Sequence, residues 1–225
     1  MSEFRIYQPW SIPLLHTTLP DKLSKELIQL TDLITEDKDR ESNNEKLAGE
    51  IEDEWIIDPI LLTNISFKDY IIQLSREYFK RTMYNYHIED NAIPRFLVVF
   101  KNVLDNIEIV SSWFNNQKDT EYNQTHNHGG ILSGVLYLKI PEYLSSKKME
   151  GSDGSITFIG NDTAAEGMIS NSILTISPKV GDIFLFSSVL KHQVYPFRSV
   201  DGKGIRRSMS FNLDSKREYY ERPNM

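Results

Sequence analysis

Three of the five histidines in the chain are spaced in a way that can do chemistry. His126 and His128 stand two apart, just ahead of the strand-like run Leu132 to Ile140. His192 follows the apolar run Gly181-Asp182-Ile183-Phe184-Leu185-Phe186. On an extended backbone, side chains two apart point to the same side, so the first two imidazoles can reach one point in space. A third imidazole on an adjacent strand completes a metal site. The sequence has no cysteine, which excludes disulfides, thiolate ligands and a cysteine nucleophile, so any metal rests on nitrogen and oxygen. A His-x-His pair alone is more commonly the mark of a solvated loop; His192 and its flanks turn the balance.

A second polar group follows on the last strand-like segment. In Ile205-Arg206-Arg207-Ser208-Met209-Ser210-Phe211-Asn212 the residues Arg206, Ser208, Ser210 and Asn212 share one face, and Arg207, Met209 and Phe211 share the other. Turned inward, Arg206 offers a planar fork suited to a bidentate clamp on a carboxylate. Turned outward, the same face is the wet side of a half-exposed strand, and alternation alone does not choose.

The elements that must position these groups fall into two zones. Phe4 to Leu15, with Pro9 and Pro13, reads as an irregular or short extended entry. A helix begins at Leu19-Pro20-Asp21 with Leu23, Leu27, Leu30 and Ile34 on one face, and a second runs from about Ser66 to Tyr84 with Ile71, Ile72, Leu74, Tyr78 and Phe79 on its buried side. Between them Trp55 to Leu62 is an apolar stretch broken by Pro59. From about Pro94 the texture changes to short runs rich in branched and aromatic residues: Phe96 to Phe100, Ile107 to Phe114, Leu132 to Ile140, Ser155 to Ile159, Ile173 to Ser177, Asp182 to Ser187, His192 to Pro196 and Arg206 to Leu213. Turn residues separate them. This pattern predicts a mainly β fold, a jelly roll or double-stranded β-helix of the cupin-like kind, with the N-terminal helices packed outside it.

Length and charge set the remaining bounds. With 225 residues the chain suits one domain: a helical or mixed flanking region over 1–93, a jelly-roll core over 94–214 and a tail over 215–225. No run approaches a membrane span and the N-terminus lacks a signal-peptide pattern, so a cytoplasmic location is expected. The net charge of −7 is concentrated in residues 35–54, where nine acids face three bases. That stretch reads as a solvated loop, with a docking surface for a basic partner as the alternative. The near-neutral remainder has no basic footprint for nucleic acid at the level of whole-chain charge.

The order His126-x-His128, the Ser-Gly-Val-Leu-Tyr-Leu strand, the Gly-Asp-Ile-Phe-Leu-Phe strand, His192-x-Val-x-Pro and Arg206-x-Ser208 resembles the Fe(II)- and 2-oxoglutarate-dependent oxygenases. Within them it is similar to a branch from bacteria and phages, and more distantly to the prolyl hydroxylases. The specific resemblance covers about residues 111–213. It implies Fe(II), 2-oxoglutarate and dioxygen acting on an unidentified primary substrate, which is hydroxylated as the oxo acid becomes succinate and CO2. It implies that His126 and His192 are iron ligands and that Arg206, with Ser208 as its hydrogen-bonding neighbour, pairs with the distal carboxylate. Tyr137 falls where prolyl hydroxylases place a tyrosine on that carboxylate; a packed core tyrosine is the other reading. His128 departs from the pattern, which has an acid two residues after the first histidine. It is retained here as the third metal and catalytic histidine, against a version in which it turns away and another group completes the shell.

Two rival classes remain open. A cupin-like metalloenzyme would use the histidines without an oxo acid, and a non-catalytic jelly-roll module would use neither. Trp113, Asn115, Gln124 and Asn127 lie near the metal strand and read first as a core tryptophan and turn amides. His16 and His87, without partner motifs, read as surface or capping residues, and Gly129-Gly130 as a turn. The primary substrate and the oligomeric state are not legible.

Overall fold

The computed structural model describes residues 4–7, 12–43, 49–85, 101–144, 152–160 and 173–215. Among them the element order is β1 (Phe4–Tyr7), β2 (Leu14–Thr18), α1 (Asp21–Glu36), β3 (Glu54–Ile56), α2 (Pro59–Asn64), α3 (Phe67–Asn85), β4 (Glu108–Gln117), β5 (Asn123–His126), β6 (Leu132–Lys139), β7 (Ile156–Ile159), β8 (Ile173–Ile176), β9 (Asp182–Ser187), β10 (Lys191–Val194) and β11 (Arg206–Asp214). The strands form a seven-stranded sheet in the order β1-β2-β9-β6-β11-β4-β3 and a four-stranded sheet in the order β5-β10-β7-β8. Every strand pairing is antiparallel. The two sheets are layered face to face in the double-stranded β-helix that the sequence predicts.

The large sheet is covered on both faces, which explains why β6 and β9 read as continuous apolar runs instead of alternating. Its outer face carries Leu136, Ile183, Leu185, Met209 and Phe211 against Leu23 and Leu27 of α1 and Ile71, Leu74 and Tyr78 of α3. Its inner face carries Val135, Tyr137, Phe184 and Phe186 against Ile156, Phe158 and Leu190 on the side of the small sheet. Each such fully buried side chain contributes about 1.5–3 kcal/mol.

α1 is pinned by polar contacts as well. On its inner face Thr31, Asp32 and Thr35 meet Arg207, which is 4 % exposed. Arg207 Nη1 donates to Thr31 Oγ1 at 3.0 Å and to Asp32 Oδ1 at 2.5 Å, its Nε donates to Asn116 Oδ1 at 2.6 Å, and Nη2 reaches Thr35 Oγ1 at 3.3 Å. Asp32 also takes Lys139 at 2.5 Å.

Several sequence expectations change here. The N-terminal entry forms β1 and β2, and β2 pairs with β9 in the middle of the barrel wall. The region expected only to flank the barrel thus contributes β1, β2 and β3 to its large sheet. Pro59 divides the Trp55–Leu62 stretch cleanly: β3 precedes it, and α2 starts on it with Asp58 capping Ile60 N at 2.9 Å. The acidic stretch is a solvated loop only in part. Gly49 bridges to Asn123, Ile51 is 8 % exposed, and Glu54 on β3 is 1 % exposed. His16 is neither a surface nor a capping residue. It lies in β2, stacked on Phe184 at 4.5 Å with Nε2 3.0 Å from Asp182 Oδ1. The strand expected at Phe96 to Phe100, His87 and the tail beyond Ser215 lie outside the described residues.

Candidate metal and oxo-acid site

The three histidines converge at the open end between the sheets. β5 and β10 are antiparallel neighbours in which His126 and His192 are direct Cα partners, so the pairing alone sets two imidazoles side by side with ring centroids 4.3 Å apart. The chain runs two residues past β5 to His128, whose backbone N–H is held by the Ser188 carbonyl at 2.9 Å. Its ring centroid is 5.0 Å from each of the others. One nitrogen from each ring lies within 4.8 Å of the other two. Gly130 turns the chain from here into β6 at φ +87°, where a Cβ would lie 2.6 Å from the Leu213 carbonyl oxygen.

Tautomer and charge suit metal binding. His126 Nδ1 lies 2.7 Å from the Gln124 carbonyl and His192 Nδ1 lies 3.0 Å from the Leu190 carbonyl. Each carbonyl fixes the proton on Nδ1 and leaves the Nε2 lone pair toward the cluster. Burial, followed by the neighbouring imidazoles, lowers the pKa of His128 to about 4 and of His192 to about 3, and burial also lowers that of His126. All three are neutral near pH 7, the form that ligates.

Behind the histidines a cavity open to solvent runs between the sheets. Its floor answers the question of which way Arg206 points: inward. β11 pairs with β4 so that Arg206 faces Gln117, Ser208 faces Asn115 and Ser210 faces Trp113, and all six line the cavity. Arg206 is 1 % exposed. Its Nη1 donates to Gln117 Oε1, its guanidinium carbon lies 4.7 Å from the centre of the Tyr137 ring, and its Nε and Nη2 have no hydrogen-bond partner. The Tyr137 hydroxyl is buried without a partner in hydrogen-bonding geometry. Burial pushes its pKa up to about 12 despite the nearby guanidinium, so it remains a phenol with a proton to donate.

Buried polar groups are almost always satisfied, and Arg207 on the opposite face of the same strand is. The unmet donors of Arg206 and Tyr137 converge on one space, and a carboxylate there would satisfy them. Ser208 shares the cavity, but its hydroxyl donates to Asn115 Oδ1 at 2.8 Å. Gln117, Asn115 and Trp113 belong to the site, though the last two read first as ordinary turn and core residues. The signal that finds them is the β4–β11 register. Gln124 and Asn127 are exposed, and Gln124 contributes only its carbonyl to His126.

The family described as Putative 2OG-Fe(II) oxygenase matches residues 111–212, a span that contains all three histidines, Tyr137, Arg206 and Ser208. No curated protein matches the chain in sequence. Among solved structures, the Pseudomonas putida prolyl-4-hydroxylase is similar at 14% identity with a TM-score of 0.50, over 90% of this chain and 92% of that one. A Trichoplax adhaerens prolyl hydroxylase, solved with a hypoxia inducible factor oxygen degradation domain peptide fragment, is similar at 13% identity and TM-score 0.52, over 96% and 85%. HygX of Streptomyces hygroscopicus, solved with nickel and 2-oxoglutarate bound, is similar at 9% identity and TM-score 0.50, over 96% and 84%. These likenesses bear on the fold. Together with the family match over residues 111–212, they make the chain similar to the Fe(II)/2-oxoglutarate oxygenases in fold and in the segment that carries the site. The three-histidine cluster is its candidate iron site.

Proposed function

We propose that the protein hydroxylates an unidentified substrate, with His126, His128 and His192 holding Fe(II) and with Arg206 and Tyr137 holding the distal carboxylate of 2-oxoglutarate. The observation that carries this reading is the half-satisfied, fully buried Arg206 in the cavity that the histidines close. A cupin-like metalloenzyme without an oxo acid gives no reason for buried guanidinium donors left open at that place.

Bound there, iron would activate dioxygen, the oxidant, with one oxygen atom going to 2-oxoglutarate as it loses CO2 to give succinate and the other to a carbon of the substrate. The chain's own residues perform three tasks. The three imidazoles would hold the metal through neutral nitrogen donors. Arg206 and Tyr137 fix the far end of the oxo acid and so orient its reacting end toward the histidines. Phe186, Val135 and Ile156 line the space between and exclude water from it. With histidine in place of the usual acid, the protein ligands neutralise none of the metal's charge, and the dianionic oxo acid takes over that role.

The test is an anaerobic Fe(II) titration of metal-free protein with and without 2-oxoglutarate. A visible charge-transfer band that needs both, and is lost in His126→Ala and His192→Ala proteins, supports the reading. Iron binding without the band returns the cupin-like alternative, and no iron binding returns the non-catalytic module.

A further inference from the structure

One buried acid close to the cavity has no part in the function described so far. Glu54 is 1 % exposed and sits on β3 directly across from Asn115 of β4. Asn115 is in turn the register partner of Ser208 on β11, and Ser208 that of Tyr137 on β6. Glu54, Asn115, Ser208 and Tyr137 therefore form one transverse row across the inner face of the large sheet. Side chains link its middle members, since Ser208 Oγ donates to Asn115 Oδ1 at 2.8 Å, and the Asn115 amide lies near enough to the buried Glu54 carboxyl to act on its pKa.

We propose that Glu54 is a positioning residue for the oxo-acid carboxylate, setting through Asn115 whether Ser208 turns a hydrogen or a lone pair toward the Arg206 pocket. The proposal rests on the reading of that pocket as the 2-oxoglutarate site. The donors and acceptors along the row set the outcome. An ionised Glu54 only accepts, so Asn115 must give it the amide N–H, keep its carbonyl for the Ser208 hydroxyl, and leave Ser208 with lone pairs alone for the cavity. A protonated Glu54 can donate to the Asn115 carbonyl. The amide then turns over, since its oxygen and nitrogen have nearly the same shape. Its N–H goes to Ser208 Oγ, and the serine hydrogen is free for a carboxylate beside Arg206. Burial favours the second state: it raises the Glu54 pKa to about 8, against the opposing effect of the nearby Asn115 amide. The charge that acts on Glu54 is that of Glu121, in the turn between β4 and β5, and it raises the pKa further. Asn115 is the polar group of β4 that faces it.

The experiment is calorimetric titration of 2-oxoglutarate into nickel-loaded protein at about pH 7 and about pH 9, a range in which the oxo acid itself keeps its charge. The wild-type protein should weaken roughly tenfold at the higher pH, the worth of one hydrogen bond to a charged group. Glu54→Gln keeps an uncharged donor at the position, so it should bind as the wild type does near pH 7 and lose the pH dependence. Asn115→Asp forces Ser208 to donate away from the cavity and should bind roughly tenfold more weakly at both pH values. A Glu54→Gln protein with the wild-type pH profile overturns the proposal, and this variant decides the matter if Asn115→Asp fails to fold. Wild-type protein that binds no 2-oxoglutarate at either pH overturns the reading of the pocket itself, a separate and earlier failure.

Discussion

His126 and His192 are direct partners across the β5–β10 pair, and each ring is held by the carbonyl two residues before it in the chain. The two are set alike, one on each strand, and His128 is the added member, carried in on irregular backbone. Loss of either strand histidine should lower nickel or Fe(II) affinity by at least about 100-fold, since even the partners that orient a ligand are worth 10–100-fold. Competition against a chromophoric chelator measures it. His128→Ala should cost less, and equal losses at all three positions would show that the strand pair is not the primary anchor.

Arg206→Leu should leave metal affinity unchanged and weaken 2-oxoglutarate binding roughly 30- to 1,000-fold, the range for removing one partner of a buried charge pair. Arg206→Lys should not restore it, because an ammonium cannot reproduce the fork that bonds Gln117 and a ligand together. Parallel losses of metal and oxo-acid affinity would instead mean that the side chain only supports the fold.

Its neighbour should behave in the opposite way. Asp32→Ala leaves the buried Arg207 without its carboxylate and should lower stability by about 1–3 kcal/mol in urea, with 2-oxoglutarate affinity preserved in the protein that remains folded. A variant that loses oxo-acid binding at unchanged stability would contradict this division of labour.

Stability should also carry the signature of Glu54. Its pKa is about 8 in the folded chain against an ordinary value of 4.5, so the folded state holds the proton more tightly than the unfolded one. The stabilisation is complete below about pH 4.5 and is lost as pH rises toward about 8. Urea denaturation of Glu54→Gln should therefore show a gain over wild type that grows across this window, on the order of 4 kcal/mol by its upper end. A constant difference between the two proteins would mean that Glu54 is not held protonated.

Gly134 lies under Phe211 on the paired strand, where an added Cβ would come within 2.2 Å of the ring. Gly134→Ala should cost about 1–3 kcal/mol, seen as a lower Tm. An unchanged Tm would show that the ring has room to move.

The barrel strands were legible in the sequence wherever burial dictates composition, as in Leu132–Ile140 and Asp182–Ser187. The strands it hid are those whose residues answer to something other than β propensity. β5 reads Asn-Gln-Thr-His because Asn123 and His126 line the cavity while Gln124 and Thr125 face solvent, and β2 reads Leu-Leu-His-Thr-Thr because both its faces are covered and no alternation survives. The histidines were found by spacing. Gln117 and Glu54 were not, because their roles depend on which strand lies beside which, and a polar residue in a strand pattern carries no label for its neighbour.

The two adjacent arginines of β11 also bear on how the chain finds its pairing. Because side chains alternate, a shift of β11 by one residue would turn Arg206 toward the helices and send Arg207 with Met209 and Phe211 into the ligand space. Asp32 on α1 accepts the arginine at 207. That contact, together with Met209 and Phe211 packed beneath the helices, favours the register in which 206 faces the histidines, so a helix remote from the chemistry helps to fix the strand alignment of the site.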